Sequence, residues 1–267
     1  MKTISKAASA ILVAASASCI IPIYMDEGSR FERERPAFIR TVPLAPGGTL
    51  RVDNPYGNII LIGWDREDVE ILAEETWDDS AGRAVGVLQR GAVVPRVDIE
   101  TADNSIEIRA RPRDAEIAVD RIVHLMIRAP HHAVLKSVTG RRGRISLSDM
   151  YGQALIRLEE GDIRVENFSG SLDAELVRGE INAELLDLRP EDAVRLVCGE
   201  GPIVLSLEPA FTGRLEADAP GGTLTCEFAL DPPAERSRAS GKIGTGEGVL
   251  VTVSARNGSV TVRKFPG

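Results

Sequence analysis

Aromatic residues make up only 4% of this 267-residue chain, and cysteine and histidine each occur three times. The first shortage excludes a core built on stacked rings. Val, Ile, Leu and Ala must fill it, and such side chains suit thin, closely stacked strands. Three cysteines cannot form a disulfide framework. His124, His131 and His132, with no Cys-x-x-Cys or His-Glu-x-x-His spacing, give no zinc set. Long apolar runs are also missing: the longest, residues 7–17, is too short to span a bilayer stably. Positive charge is in deficit, the formal net charge being −8. Such a surface repels phosphate backbones, so nucleic acid is excluded as a partner.

The N-terminus reads as an export signal over residues 1–18: Lys2 and Lys6, a short apolar middle, then small residues. Two cleavage readings compete. Ala15-Ser16-Ala17 suits ordinary signal peptidase and would release a chain beginning at Ser18. Ser16-Ala17-Ser18-Cys19 resembles a bacterial lipoprotein box and would make Cys19 the lipidated first residue, although Ser16 stands where an aliphatic is expected. The lipoprotein reading is preferred, because so few cysteines make one at this place hard to ascribe to chance. Residues 19–44 then form a polar tether and an expected first strand, and 45–267 a single domain. The lipid would be the chain's membrane contact.

What is abundant is glycine in register. Gly143, Gly152, Gly161, Gly170 and Gly179 recur every ninth residue. Each opens a run of alternating apolar residues: Ile145 and Leu147; Ala154, Ile156 and Leu158; Ile163 and Val165; Leu172, Ala174 and Leu176; Ile181, Ala183 and Leu185. Ser146, Arg157, Arg164, Asp173, Glu175, Asn182 and Glu184 fall between them. Strict alternation is the mark of half-buried strands, and glycine at fixed period marks the corners between them. Strand and corner at fixed period describe a solenoid, here all-β and β-helix-like, with about 18–22 residues per coil.

The rhythm recurs at Gly201, Gly213, Gly222 and Gly258, with an extra strand at 194–198. Residues 231–248 read as a long surface loop. Strands at 249–253 and 260–262 flank Asn257-Gly258, a hairpin or corner signal. Upstream, strands are expected at 49–52, 58–62, 69–73, 97–99, 105–108 and 122–127, with a bend at Pro130-His131-His132. The sole helix expected is a short one over 78–88.

The segments VDNPYGNIILIGWDREDVEI, LMIRAPHHAVLKSVTGRRGRISLSDMYG and GVLVTVSARNGSVTVRKF together resemble a bacterial candidate-adhesin family, the DUF4097 group. The resemblance covers about residues 45–264. It implies a β-helix-like solenoid on an exported protein, and it carries over no catalytic residue.

Candidate sites are few. Calcium-binding nonapeptide repeats need Gly-Gly-x-Gly-x-Asp, which the turns here lack. Arg141, Arg142 and Arg144 read as a solvated turn. Residues 244–248 are as glycine-rich as a phosphate loop, but a strand follows where a helix N-terminus is required. Glu159, Glu160, Asp162, Glu166, Glu175 and Glu184 are interleaved with Arg157, Arg164 and Arg178, as in a charged ladder. Cys198 and Cys226 fall on inward positions. A disulfide between them is open in an oxidising compartment but disfavoured: coils about 21 residues apart would stack Cys198 near Asp218 and Cys226 near Leu205. Two buried thiols are expected instead.

These readings converge on a non-catalytic module of the bacterial envelope that needs no cofactor or metal. Its partner is unidentified: a glycan, an envelope protein or another copy. The alternative is a glycan-active enzyme using carboxylates on one face, marked by a groove holding two carboxylates beside Trp64, Trp77 or a tyrosine. Replacing Cys19 with Ala is expected to move the protein from the membrane fraction to the soluble periplasm. Unchanged fractionation and migration on gels would favour cleavage after Ala17.

Overall fold

The computed structural model describes residues 38–77, 95–111, 121–245 and 247–265. The export signal, Cys19, most of the tether and the helix expected over 78–88 lie outside the described residues. Among those described there is no helix. The strands, in chain order, begin with β1 (Phe38–Pro43), β2 (Thr49–Tyr56), β3 (Ile59–Trp64), β4 (Asp68–Trp77), β5 (Arg96–Ala102) and β6 (Ser105–Arg111). Next come β7 (Arg121–Pro130), β8 (Val134–Ser148), β9 (Tyr151–Leu185), β10 (Ala193–Glu200), β11 (Ile203–Leu207) and β12 (Gly213–Asp218). The last are β13 (Leu224–Cys226), β14 (Leu230–Asp231), β15 (Arg238–Ile243), β16 (Val249–Asn257) and β17 (Val260–Lys264).

These strands form one continuous hydrogen-bonded sheet that coils over itself as two stacks. The first stack holds β6, β2, the front of β8, residues 152–160 and 170–178 of β9, then β10, β16 and β12. The second holds β7, β3, the back of β8, residues 161–166 and 179–185 of β9, then β11, β17 and β13. All these pairings are parallel, as a coil that returns on itself requires. The core lies between the stacks. One of its columns runs Leu125, Ile59, Ile145, Ile163, Ile181, Ile203, Val260, each no more than 1% exposed. Every apolar residue of the alternating series from Ile145 to Leu185 is buried.

One polar member departs from the expected pattern. Ser146 has outward parity yet is 1% exposed, and its hydroxyl has no hydrogen-bond partner. It continues a row of buried outward side chains, Leu72, Met126 and Ile60, set side by side by the β4–β7–β3–β8 register.

The nine-residue glycine series resolves into two corners with different chemistry. At the first, Gly57, Gly143, Gly161, Gly179, Gly201, Gly258 and Gly222 stand in one column. A Cβ on each from Gly143 onward would overlap the carbonyl oxygen of the glycine before it. At the second corner the chain turns through Asp149, Asn167 and Asp187, all at positive φ (56°, 48° and 44°), a conformation Asp and Asn tolerate better than other side-chain-bearing residues. Asn167 donates to the Asp149 carboxylate, tying neighbouring coils together. Gly152 and Gly170 follow this second corner. The strands do not end at the glycines: β9 contains four of them, Gly152, Gly161, Gly170 and Gly179, as a single strand.

Chain order and stacking order part company at both ends. The β2–β3 coil lies inside the later β6–β7 coil, and the last coil, β16–β17, slots between β10–β11 and β12–β13. Asn257-Gly258 is therefore a corner, since β16 and β17 pair with different neighbours. The insertion also corrects the stacking expected for the cysteines. Cys198 lies between Leu176 and Ala255 in the first stack, and Cys226 beside Val262 in the second, so neither faces the other. Both are free thiols, Cys198 buried and Cys226 half-buried.

Antiparallel strands close both ends. β5 caps β6, turning through Asp103 and Asn104 at positive φ, the two-residue hairpin geometry. β4, and on it β1, cap β7. At the other end β15 caps β12. The loop expected over 231–248 thus contains a strand. Its inward residues, Ala239 and Ile243, are buried, but they are spaced by four with Gly241 between them, which hides the alternation in the sequence.

Gly161→Ala combines a backbone of φ +128° with direct overlap on Gly143, so a loss of about 3–5 kcal/mol in urea unfolding is expected. Gly152 has a similar φ of +126° but open space at its Cβ position, so Gly152→Ala should cost only about 1–2 kcal/mol.

Candidate functional site

Two regions of the surface carry chemistry. The first is the outer face of the first stack. Because coils repeat every 18 residues and then 22, side chains one coil apart stand side by side. Arg141 meets Glu159 and Arg142 meets Glu160, each at 3.3 Å, and Arg178 meets Glu200 at 3.0 Å; past the glycine corner, on the second stack, Arg144 meets Asp162 at 3.3 Å. The basic cluster read as a solvated turn is thus part of β8, and each of its charges is answered one coil on. Such exposed pairs are screened by water and add little to stability. A tighter group sits beside them: Arg157 reaches Asp173 at 2.9 Å and Glu175 at 3.0 Å, and Arg195 bridges the same two carboxylates. Shallow grooves of about 240, 290 and 450 Å³ run across this face.

The electrostatics follow from these contacts. Burial raises the Asp173 carboxyl, but hydrogen bonds from Arg157 and Arg195 outweigh it and hold the group below its usual 3.8. On the second stack, Glu184 moves the other way, raised by burial and then by Glu166. Burial raises the thiols of Cys198 and Cys226, keeping them protonated. Among the described residues no group of three or more His, Cys, Asp or Glu could hold a metal ion.

The second region is a pocket of about 470 Å³ where three turns meet: residues 44–47 before β2, 64–67 after β3, and 130–133 before β8, with Tyr151 from the start of β9. The turns are bound to each other through backbone. Leu44 N–H donates to Glu67 O (3.1 Å), His131 N–H to Trp64 O (3.3 Å) and Tyr151 N–H to His131 O (2.7 Å). Gly63 makes the close approach achievable, since a Cβ there would overlap the Asp149 carbonyl and crowd the His131 ring. The Trp64 indole N–H donates to Asp68 O at 2.9 Å, and the Arg66 guanidinium lies 4.4 Å from the ring centroid while paired with Asp68 at 2.6 Å. Tyr151 stacks on His131 at 5.2 Å and meets His132 at a tilt at 5.3 Å. His131 Nδ1 is 2.5 Å from Asp149 O, and its Nε2 is 3.3 Å from Asp65 Oδ1.

His131 and His132 therefore lie in this pocket. His124 does not: it sits on β7, accepting from the Asn58 N–H and bonded to the Thr76 hydroxyl. Trp64 was legible as a candidate aromatic. Tyr151, Asp65, Arg66 and the 44–47 turn were not, and the only signal for them is the cluster of turn residues at Ala45-Pro46-Gly47-Gly48 and Trp64-Asp65. The side chain of Trp77 and residue Gly246 lie outside the described residues. Strand β16 follows the glycine-rich 244–248, so no helix N-terminus faces it.

Residues 132–263 match the family model described as Toastrack DUF4097, a narrower span than the motifs from residue 45 suggested. No curated protein matches the chain. Among solved structures, a candidate cell adhesion protein of Clostridium sporogenes aligns over 86% of this chain and 100% of its own, at 10% identity and a TM-score of 0.37. A candidate adhesin of Bacteroides fragilis aligns over 85% and 96%, at 8% identity and a TM-score of 0.28. Scores this low transfer nothing to this chain.

Acid titration of stability tests the charge group. The native Asp173 carboxyl is held below its unfolded value, so near and below pH 3.8 the unfolded chain binds more protons and stability falls with pH. Asp173→Asn should flatten that limb, while Glu184→Gln, which removes a native charge disfavoured by burial, should raise stability at neutral pH.

Proposed function

Residues 132–263 are a Toastrack DUF4097 domain, and from that premise we propose that the protein is a non-catalytic, adhesin-like module of the bacterial envelope. It is exported, held by lipid at Cys19, and presents its sheet faces to an extended partner. The observation that carries the reading is the outer face of the first stack. Its charges alternate in sign along the coils and are paired with each other, leaving a long, nearly neutral, polar surface with shallow grooves. A surface of this kind grows with each coil and fits a long polymer or a protein face better than a small metabolite.

The hydrolase alternative needs an acid and a carboxylate facing each other in a cleft. Among the described residues, the carboxyl that burial pushes towards its protonated form is Glu184, which does not line the corner pocket; Asp65 at that pocket stands 99% exposed rather than in a cleft.

A glycan array probed with the Cys19→Ala chain, paired with a reducing-end assay on every glycan retained, separates the two. Retention without new reducing ends is the expected result. Release of reducing ends that grows with time and enzyme concentration overturns the non-catalytic reading.

A further inference from the structure

The geometry points to the corner pocket as a binding site for one ring of a neutral saccharide, with Trp64 and Tyr151 as its apolar walls and His131 and Asp65 as the groups that bond its hydroxyls. Its volume of about 470 Å³ falls within the ~300–1,000 Å³ range of small-ligand sites. A sugar ring has an apolar C–H face and an edge of hydroxyls, and the lining divides the same way.

The polar side sets the orientation. His131 Nδ1 lies 2.5 Å from the Asp149 carbonyl, which can only accept, so that nitrogen carries a hydrogen and the ring is held in place. Its Nε2 lies 3.3 Å from Asp65 Oδ1, and both side chains line the pocket. Adjacent hydroxyls of a sugar can bond to these two groups, one to each. Asp65 is 99% exposed and can swing to meet them. The walls are fixed in advance: Trp64 by its bond to Asp68 O, Tyr151 by its ring contacts with His131 and His132. A phosphate or carboxylate ligand is disfavoured, because Asp65 and Glu67 border the pocket and the Arg66 guanidinium is engaged by Asp68.

The inference rests on the binding reading above but concerns a separate surface, so the two can fail independently. Isothermal titration of the full-length chain with maltose, cellobiose, lactose and N,N′-diacetylchitobiose, with tetramethylammonium as a cation probe, tests it. At least one disaccharide is expected to saturate, with Trp64→Ala weakening it at least about tenfold. Asp65→Ala, a change at a fully exposed side chain that leaves folding intact, should weaken it severalfold. Lys242→Ser, an exposed position on the capping strand β15, should leave it unchanged, and circular dichroism checks each variant's strand content. No saturation by any of the four sugars, saturation by tetramethylammonium alone, or sugar binding indifferent to both Trp64→Ala and Asp65→Ala would overturn the assignment. In those cases retention on the array by the sheet faces would still stand.

Discussion

The structure depends on a place where no side chain can be. Along the column from Gly57 to Gly222, successive backbones approach until the carbonyl oxygen of one coil occupies the volume a Cβ of the next would need. That contact sets the corner, and the corner sets the register. Because strand side chains alternate with period two, a slip of one residue would send every core residue outward. With the corner pinned at the same place in each coil, Ile145 falls beneath Ile163 and the apolar columns align. The charged rows on the outside are the same register seen from the other side.

Most of this was legible because it repeats. Period-two alternation and period-nine glycines are both local signals, and they identified the parity of the core from residue 145 to 185. The sequence could not show that the period of nine mixes two corners, because Gly161 and Gly170 look alike in a string. Their difference is the turn before each: Asn167, three residues before Gly170, is at positive φ, and the three residues before Gly161 are not. The insertion of β16–β17 was hidden for a related reason. Stacking by sequence distance assumes that neighbours in the chain are neighbours in space, and here the last coil fills a gap left two coils earlier. The pocket was the least legible feature, since three turns separated by up to about 90 residues build it, and turn residues look much the same wherever they lie.

The two surface regions follow from one architecture by different routes. The flanks of a solenoid are made of strands, so they repeat, and repetition pairs opposite charges across coils into an almost neutral field. The corner pocket sits where repetition breaks, at turns that differ in length and composition. The corner pocket therefore belongs to the irregular part of the fold, and the broad paired-charge face to its regular flank.

The out-of-order coils at the two ends bear on how such a molecule responds to mechanical load. A strand at the end of a stack can be unzipped one hydrogen bond at a time. The C-terminal strands instead have partners along both edges, β16 between β10 and β12, β17 between β11 and β13, so tension on that end must shear two ladders together. On the N-terminal side β1 has, among the described residues, a single partner, β4, and can peel, but the next coil, β2–β3, is again clamped on both sides. The fold thus offers a weak outer strand that can give way first and a locked body that resists after it.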